Sequence, residues 1–122
     1  MRTLVGTGGS DDSLLALETA LDRAEAAGDD VTIAIVENPD SPRSVEEIRG
    51  RVEDRLANAG IDAEVRVLEG DPGSRLVEIS EREGFDRIVL GGGETSPLGK
   101  INIGRIGEFV LLNADVTVTL VR

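Results

Sequence analysis

Short apolar runs alternate along the chain with longer stretches in which apolar residues recur every three or four positions. "RTLVG" at 2–6 is an apolar run closed by glycine and reads as a first strand. In "SLLALETALDRAEAAG", Leu14, Leu17, Leu21 and Ala24 share one helical face. Glu18, Asp22 and Glu25 lie on the other, and Gly28 is the expected stop. "VTIAIV" at 31–36 is β-branched and continuously apolar, the pattern of a strand covered on both faces. "ENPDSPR" is a loop by composition.

Ser44 opens a second helix in a capping box with Glu47. Val45, Ile48, Val52 and Leu56 run along its face, and Gly60 closes it. "AEVRVLEG" alternates weakly, which predicts a third strand near a sheet edge. Asp71 and Pro72 start a third helix, a capping carboxylate followed by proline at the first helical position. That helix carries Leu76, Val77 and Ile79 and ends at Gly84. "DRIVL" is the fourth strand. A helix from about Gly104 to Asn113 brings Ile106 and Val110 together, and "VTVTLV" at 116–121 is the fifth strand.

Strands alternating with amphipathic helices imply a parallel sheet with helices on both faces, a three-layer, doubly wound α/β fold. The length of 122 residues, with no internal repeat, linker or low-complexity tract, predicts one domain over 1–122.

Composition narrows the function. Hydrophobic residues make up 39% of the chain, but aromatic ones only 2%, so the core is built from Leu, Ile, Val and Ala. Recognition by stacking on aromatic rings is disfavoured. The net charge is −11, from 24 acidic and 13 basic residues, and no local basic patch interrupts it. No nucleic-acid or membrane partner is therefore expected. Lys100 is the only lysine, and this acidic, lysine-poor balance is that of a halophilic protein from a high-salt cytoplasm. Histidine and cysteine are both absent, which excludes disulfides, thiol chemistry, an imidazole base and a His-ligated metal. No apolar run approaches membrane-spanning length and the N-terminus enters a strand, so a cytoplasmic location is expected.

Two loops are rich in glycine, "GTGGSDDS" after the first strand and "GGGETSPLG" after the fourth. Ligands of doubly wound sheets bind at the carboxyl ends of the strands, where the winding reverses. Glycines there let backbone N–H groups approach an anion, or simply make tight turns. A P-loop fails: Gly99-Lys100 supplies the GK pair, but Glu94 stands at the first glycine and Ile101 at the hydroxyl residue. A G-x-G-x-x-G pattern from Gly91 meets Ser96, and one from Gly6 meets Asp11. Asp11 and Asp12 suggest an acidic phosphoacceptor pair, but Glu69 and Arg122 do not supply its remaining Asp and Lys. A serine nucleophile without histidine needs a lysine base, and Lys100 has no marked partner in the sequence. No catalytic residue is assigned.

The sequence resembles the universal stress protein family over essentially its whole length. The likeness is carried by "TLVGTGGSDDS", by "VLEGDPGSRLVEIS" at 67–80 and by "FDRIVLGGGETSPLGKINIGRIGEFVLLNADVTVTLV" at 85–121. The "SPLGK" and "VLLNAD" pieces are similar to haloarchaeal members. The resemblance implies a Rossmann-like, adenine nucleotide alpha hydrolase-like sheet of order 3-2-1-4-5. It also implies homodimers paired through the fifth strand, here Val116, Thr117, Val118, Thr119, Leu120 and Val121. Nucleotide-binding members resemble one another in G-x-x-G-(nine residues)-G-[ST] after strand four and in an Asp soon after strand one. Here Gly91 fits the first glycine, Glu94 stands at the second, Gly104 fits the third, and Arg105 replaces the hydroxyl residue. Gly8 holds the Asp position, and Val36 fits the apolar residue lining the adenine pocket.

The candidate nucleotide site that the resemblance implies is Thr7, Gly8, Gly9, Ser10, Val36, Gly91, Gly92, Gly93, Glu94, Gly104 and Arg105. Gly8 removes an acceptor, and Glu94 adds a like charge beside a phosphate, a cost of about 1 kcal/mol or more when partly desolvated. Arg105 can grip a phosphate with two hydrogen bonds, or pair with Glu94. The expectation is a dimeric stress-response or regulatory protein with weak or absent ATP binding and no cofactor. The alternative is an ATP-binding sensor using ATP with magnesium.

Overall fold

A computed structural model describes residues 1–9, 11–37, 43–91, 94–95, 101–102 and 104–121, with backbone alone for 11, 12, 94, 95, 101 and 102. Five strands form the main sheet: β1 (Arg2–Thr7), β2 (Asp30–Val36), β3 (Glu64–Leu68), β4 (Arg87–Gly91) and, last in the chain, β7 (Thr117–Val121). Their order is β3-β2-β1-β4-β7 and every pairing is parallel. Counted within this sheet, that is 3-2-1-4-5, as the resemblance implies. Thr3 to Val5 of β1 pair with Arg87 to Val89 of β4, so these two strands are central neighbours.

The loop after β4 departs from the sequence reading. Two short strands, β5 (Glu94–Thr95) and β6 (Ile101–Asn102), pair antiparallel there, with Glu94 opposite Asn102. A two-residue strand is too short to show a hydrophobic period, so pattern alone reads it as loop.

Helices α1 (Asp11–Ala27) and α2 (Val45–Ala59) cover one face of the sheet. Leu17, Leu21, Ile48, Val52 and Leu56 pack there on Val5, Ile33, Ile35 and Val89. Helices α3 (Pro72–Arg82) and α4 (Arg105–Asn113) cover the other, where Leu76, Ile79 and Val110 meet Leu4, Val36, Ile88 and Leu90. The chain thus changes face after β3, which places the reversal of winding between β1 and β4.

The capping signals act as the sequence suggests. Ser44 accepts from the Glu47 N–H at 3.2 Å, and Asp71 from the Ser74 N–H at 3.0 Å with Pro72 next to it. Gly60 ends α2 in the left-handed region at φ 65°. The buried stripe of α1 is broader than the leucine pattern: Ser13, Ala16 and Ala20 join Leu17, Leu21 and Ala24, while Leu14 is half-buried and Leu15 is exposed. Small residues let this helix lie close on the central strands. Helix α3 stops at Arg82 and β7 starts at Thr117, within the usual one or two residues of the expected ends. No helix among the described residues is long and apolar enough to cross a membrane.

Candidate crevice at the carboxyl ends of the strands

The first strand ends in a polar residue that is fully buried. Thr7 donates its hydroxyl to Ser13 Oγ at 3.1 Å, tying the end of β1 to the first turn of α1. Gly8 and Gly9 follow, both buried, and Gly9 has φ 85°, a backbone conformation that favours glycine. On the next strand Val36 closes β2 at 2% exposure.

Beyond these ends a cavity of about 580 Å³ opens to solvent. Gly8 and Val36 line it together with Glu37, the Ser44 cap and first turn of α2, and the Gly70-Asp71-Pro72 start of α3. Arg43 also lines it, half-buried, and its Nη1 donates to the Gly9 carbonyl at 2.7 Å. The cavity therefore presents bare backbone, a buried aliphatic floor, two carboxylates and a guanidinium. The Asp71 carboxyl is held below its ordinary range by hydrogen bonds from the Ser74 backbone and hydroxyl.

Of the residues singled out in the sequence, the structure brings Gly8 and Val36 to this cavity and sets Thr7 and Gly9 just behind it. Ser10, Gly92 and Gly93 lie outside the described residues, as does the side chain of Glu94. Gly91, half-buried, ends β4 beside Val121 of β7. Gly104 caps α4 without a side-chain hydrogen bond, and a Cβ added there would meet nothing within 4 Å. Arg105 begins α4, is exposed, and makes no hydrogen bond or ion pair among the described residues. Gly91, Gly104 and Arg105 are not among the described residues that line this cavity with Gly8 and Val36. Arg43 and Glu37 are the site residues that pattern passes over, because loop composition does not reveal which carbonyl an arginine reaches.

No group of three His, Cys, Asp or Glu side chains converges among the described residues. Gly8 offers no carboxylate, and one oxygen of Asp71 accepts from the Ser74 N–H.

The model of the universal stress protein family matches residues 1–122. Stress response protein NhaX of Bacillus subtilis (strain 168) is 24% identical over 161 aligned positions, covering 99% of this chain and 97% of that protein. Among solved structures, a universal stress protein in complex with cAMP is similar at a TM-score of 0.77 and 28% identity, over 100% of this chain and 96% of that one. A universal stress protein family protein from Arabidopsis thaliana with AMP bound shares the fold at a TM-score of 0.71 and 16% identity, over 99% and 90% of the two chains. The family match spans every strand and helix of the 3-2-1-4-5 sheet, and the chain belongs to the universal stress protein family.

Proposed function

We propose that this chain is a stress-response regulatory protein whose crevice takes an adenine nucleotide and holds ATP weakly or not at all. It acts as a cytoplasmic homodimer of one 1–122 domain. The observation that carries this reading is the meeting of bare Gly8 backbone with buried Val36 in one open cavity at the strand ends. Val36 supplies the apolar contact for the base, and Thr7, Gly8, Gly9 and Ser10 form the loop beside the sugar. Gly91, Gly92, Gly93 and Gly104 form the phosphate side, with Glu94 and Arg105 as the two side chains that depart from a bare loop. The similar protein in complex with cAMP, at 28% identity, supports an adenine mononucleotide as the ligand class.

Homodimerisation through β7 is supported by its position as a sheet edge, paired with β4 alone among the described strands, and by the exposure of Thr117. Calorimetry with AMP, cAMP and ATP, with and without magnesium, tests the crevice. The monophosphates should bind saturably, and ATP with magnesium at least about tenfold more weakly. A micromolar constant for Mg-ATP would favour the second reading, an ATP-dependent switch. The exposed Arg105 at the start of α4 is the observation on that side.

A further inference from the structure

We propose that the seam between α1 and strands β4 and β7 holds a halide ion, gripped by Arg87 and Arg23. The seam shares no lining residue with the crevice, so the proposal does not depend on the nucleotide reading. Arg87 is the first residue of β4 and lies in register with Thr3 of β1 and Thr117 of β7. Side chains two apart on a strand share a face, and Val89 packs in the core under α1. Arg87 therefore points to that side, where its Nε is enclosed and has no hydrogen-bond partner among the described residues. An arginine keeps its proton, so the enclosed N–H needs an acceptor and its charge needs a counter-charge.

The walls supply what such an ion needs. A cavity of about 10 Å³, the space of one water molecule, lies beside Arg87 and is lined by Arg23, Thr3, Thr19, Thr119 and Asp29. Neither arginine forms an ion pair, and none of the three threonine side chains forms a hydrogen bond, among the described residues. Asp29 has its carboxylate 3.3 Å from the Met1 nitrogen and pairs with neither arginine. Two guanidiniums without a carboxylate stand out in a chain of 24 acidic and 13 basic residues. A water molecule would accept from the Arg87 Nε but leave its charge unbalanced. A phosphate or carboxylate is too large for the space of one water. A halide carries the opposing charge and accepts from several donors at once, and the three hydroxyls beside the guanidinium complete its shell.

The test is chlorine nuclear magnetic resonance of sodium chloride with the full chain, read as the excess chloride linewidth. Sodium gluconate, whose anion is too large for the cavity, replaces chloride at constant sodium, so general screening stays fixed. The wild-type chain should broaden the chloride line saturably, and added sodium bromide should compete the broadening away. Its melting temperature should also be higher in chloride than in gluconate, because an ion bound only by the folded state stabilises it. Arg87→Met should abolish both effects, and Arg23→Gln, which loses an exposed charge, should weaken chloride about threefold. Absence of saturable broadening in the wild-type chain overturns the proposal and assigns the cavity to water. Broadening that survives in Arg87→Met, or that bromide does not compete, places the ion elsewhere and overturns it as well. If Arg87→Met does not melt cooperatively, Arg23→Gln decides: weakened chloride binding supports the site and unchanged binding refutes it.

Discussion

Phe109 of α4 closes over the bare Cα of Gly73 in α3. A Cβ placed on Gly73 would stand 2.8 Å from Cδ1 of the ring and 3.1 Å from the Phe109 Cβ. Alanine is the better helix former, by about 0.8–1.0 kcal/mol in a helix interior and less in a first turn such as this, so propensity alone favours Gly73→Ala. The contact acts in the opposite sense, because the Phe109 Cβ moves only with the backbone of α4. Overpacking of this kind costs about 1–3 kcal/mol, so we expect Gly73→Ala to lower stability in urea unfolding. Phe109→Ala in the same chain should recover much of the loss, giving a measurable coupling in a double-mutant cycle. A stabilised Gly73→Ala would show that α4 gives way freely.

Gly50 is the matching control. It lies inside α2, is exposed, and a Cβ there meets nothing within 4 Å. Gly50→Ala should therefore raise stability by about 0.5–1 kcal/mol, chiefly by restricting the unfolded chain. Opposite signs for the two glycines, in the same unfolding assay, separate packing from propensity.

These two glycines also mark what the sequence discloses and what it withholds. Ser44, Asp71 and the run "VTIAIV" announce their elements because caps and apolar periods act over a few residues. The 3-2-1-4-5 order came from the family likeness, since periodicity alone does not order strands. Gly73 and Phe109 meet only once α3 and α4 are docked, and no local pattern shows that Gly73 is packed against a ring while Gly50 is open. At the crevice the same limit holds. The strand-end residues Gly8 and Val36 are legible through the family pattern, whereas composition reads Arg43 only as part of the loop "ENPDSPR". The β5–β6 pairing escaped because its strands are two residues long.

Acid should destabilise the fold through its carboxylates. Hydrogen bonds from Arg66 hold both Glu64 and Glu83 below the ordinary glutamate range, and the Ser74 N–H does the same for Asp71. A depressed folded-state value means the stabilising contribution is complete above the unfolded-state value, about 4.3 for glutamate and 3.9 for aspartate. It is lost as pH falls through the lower folded values. With no histidine in the chain, the melting temperature should stay nearly level from pH 7 to about 5 and fall below about pH 4.5. Glu83→Gln should make the acid limb shallower. A steep change near pH 6 would contradict this account.

Removing the two side chains that interrupt the glycine pattern should strengthen triphosphate binding. Glu94→Gly takes away a carboxylate beside the expected phosphates, and Arg105→Ser supplies the hydroxyl of the nucleotide-binding pattern. The double variant should bind Mg-ATP about tenfold tighter than the parent, measured by calorimetry. A weaker double variant would show that Arg105 grips the phosphates in the native chain, and the ATP-switch reading would gain.

The dimer rests on β7, and its edge can be tested directly. This strand pairs with β4 on one side, and among the described strands none covers the other. Thr117 is exposed and Thr119 half-buried on a β-rich segment without an internal lysine or proline, so nothing in its sequence discourages pairing with a second copy. Lysine is the residue natural edges use against such pairing. Thr117→Lys with Thr119→Lys should therefore shift light scattering from dimer to monomer while the far-ultraviolet circular dichroism stays unchanged. Both measurements belong at high salt, where screening removes general repulsion between two chains of net charge −11 and leaves the edge contact as the difference. A wild-type monomer under those conditions, or a dimer that survives both lysines, would place any self-association on another surface.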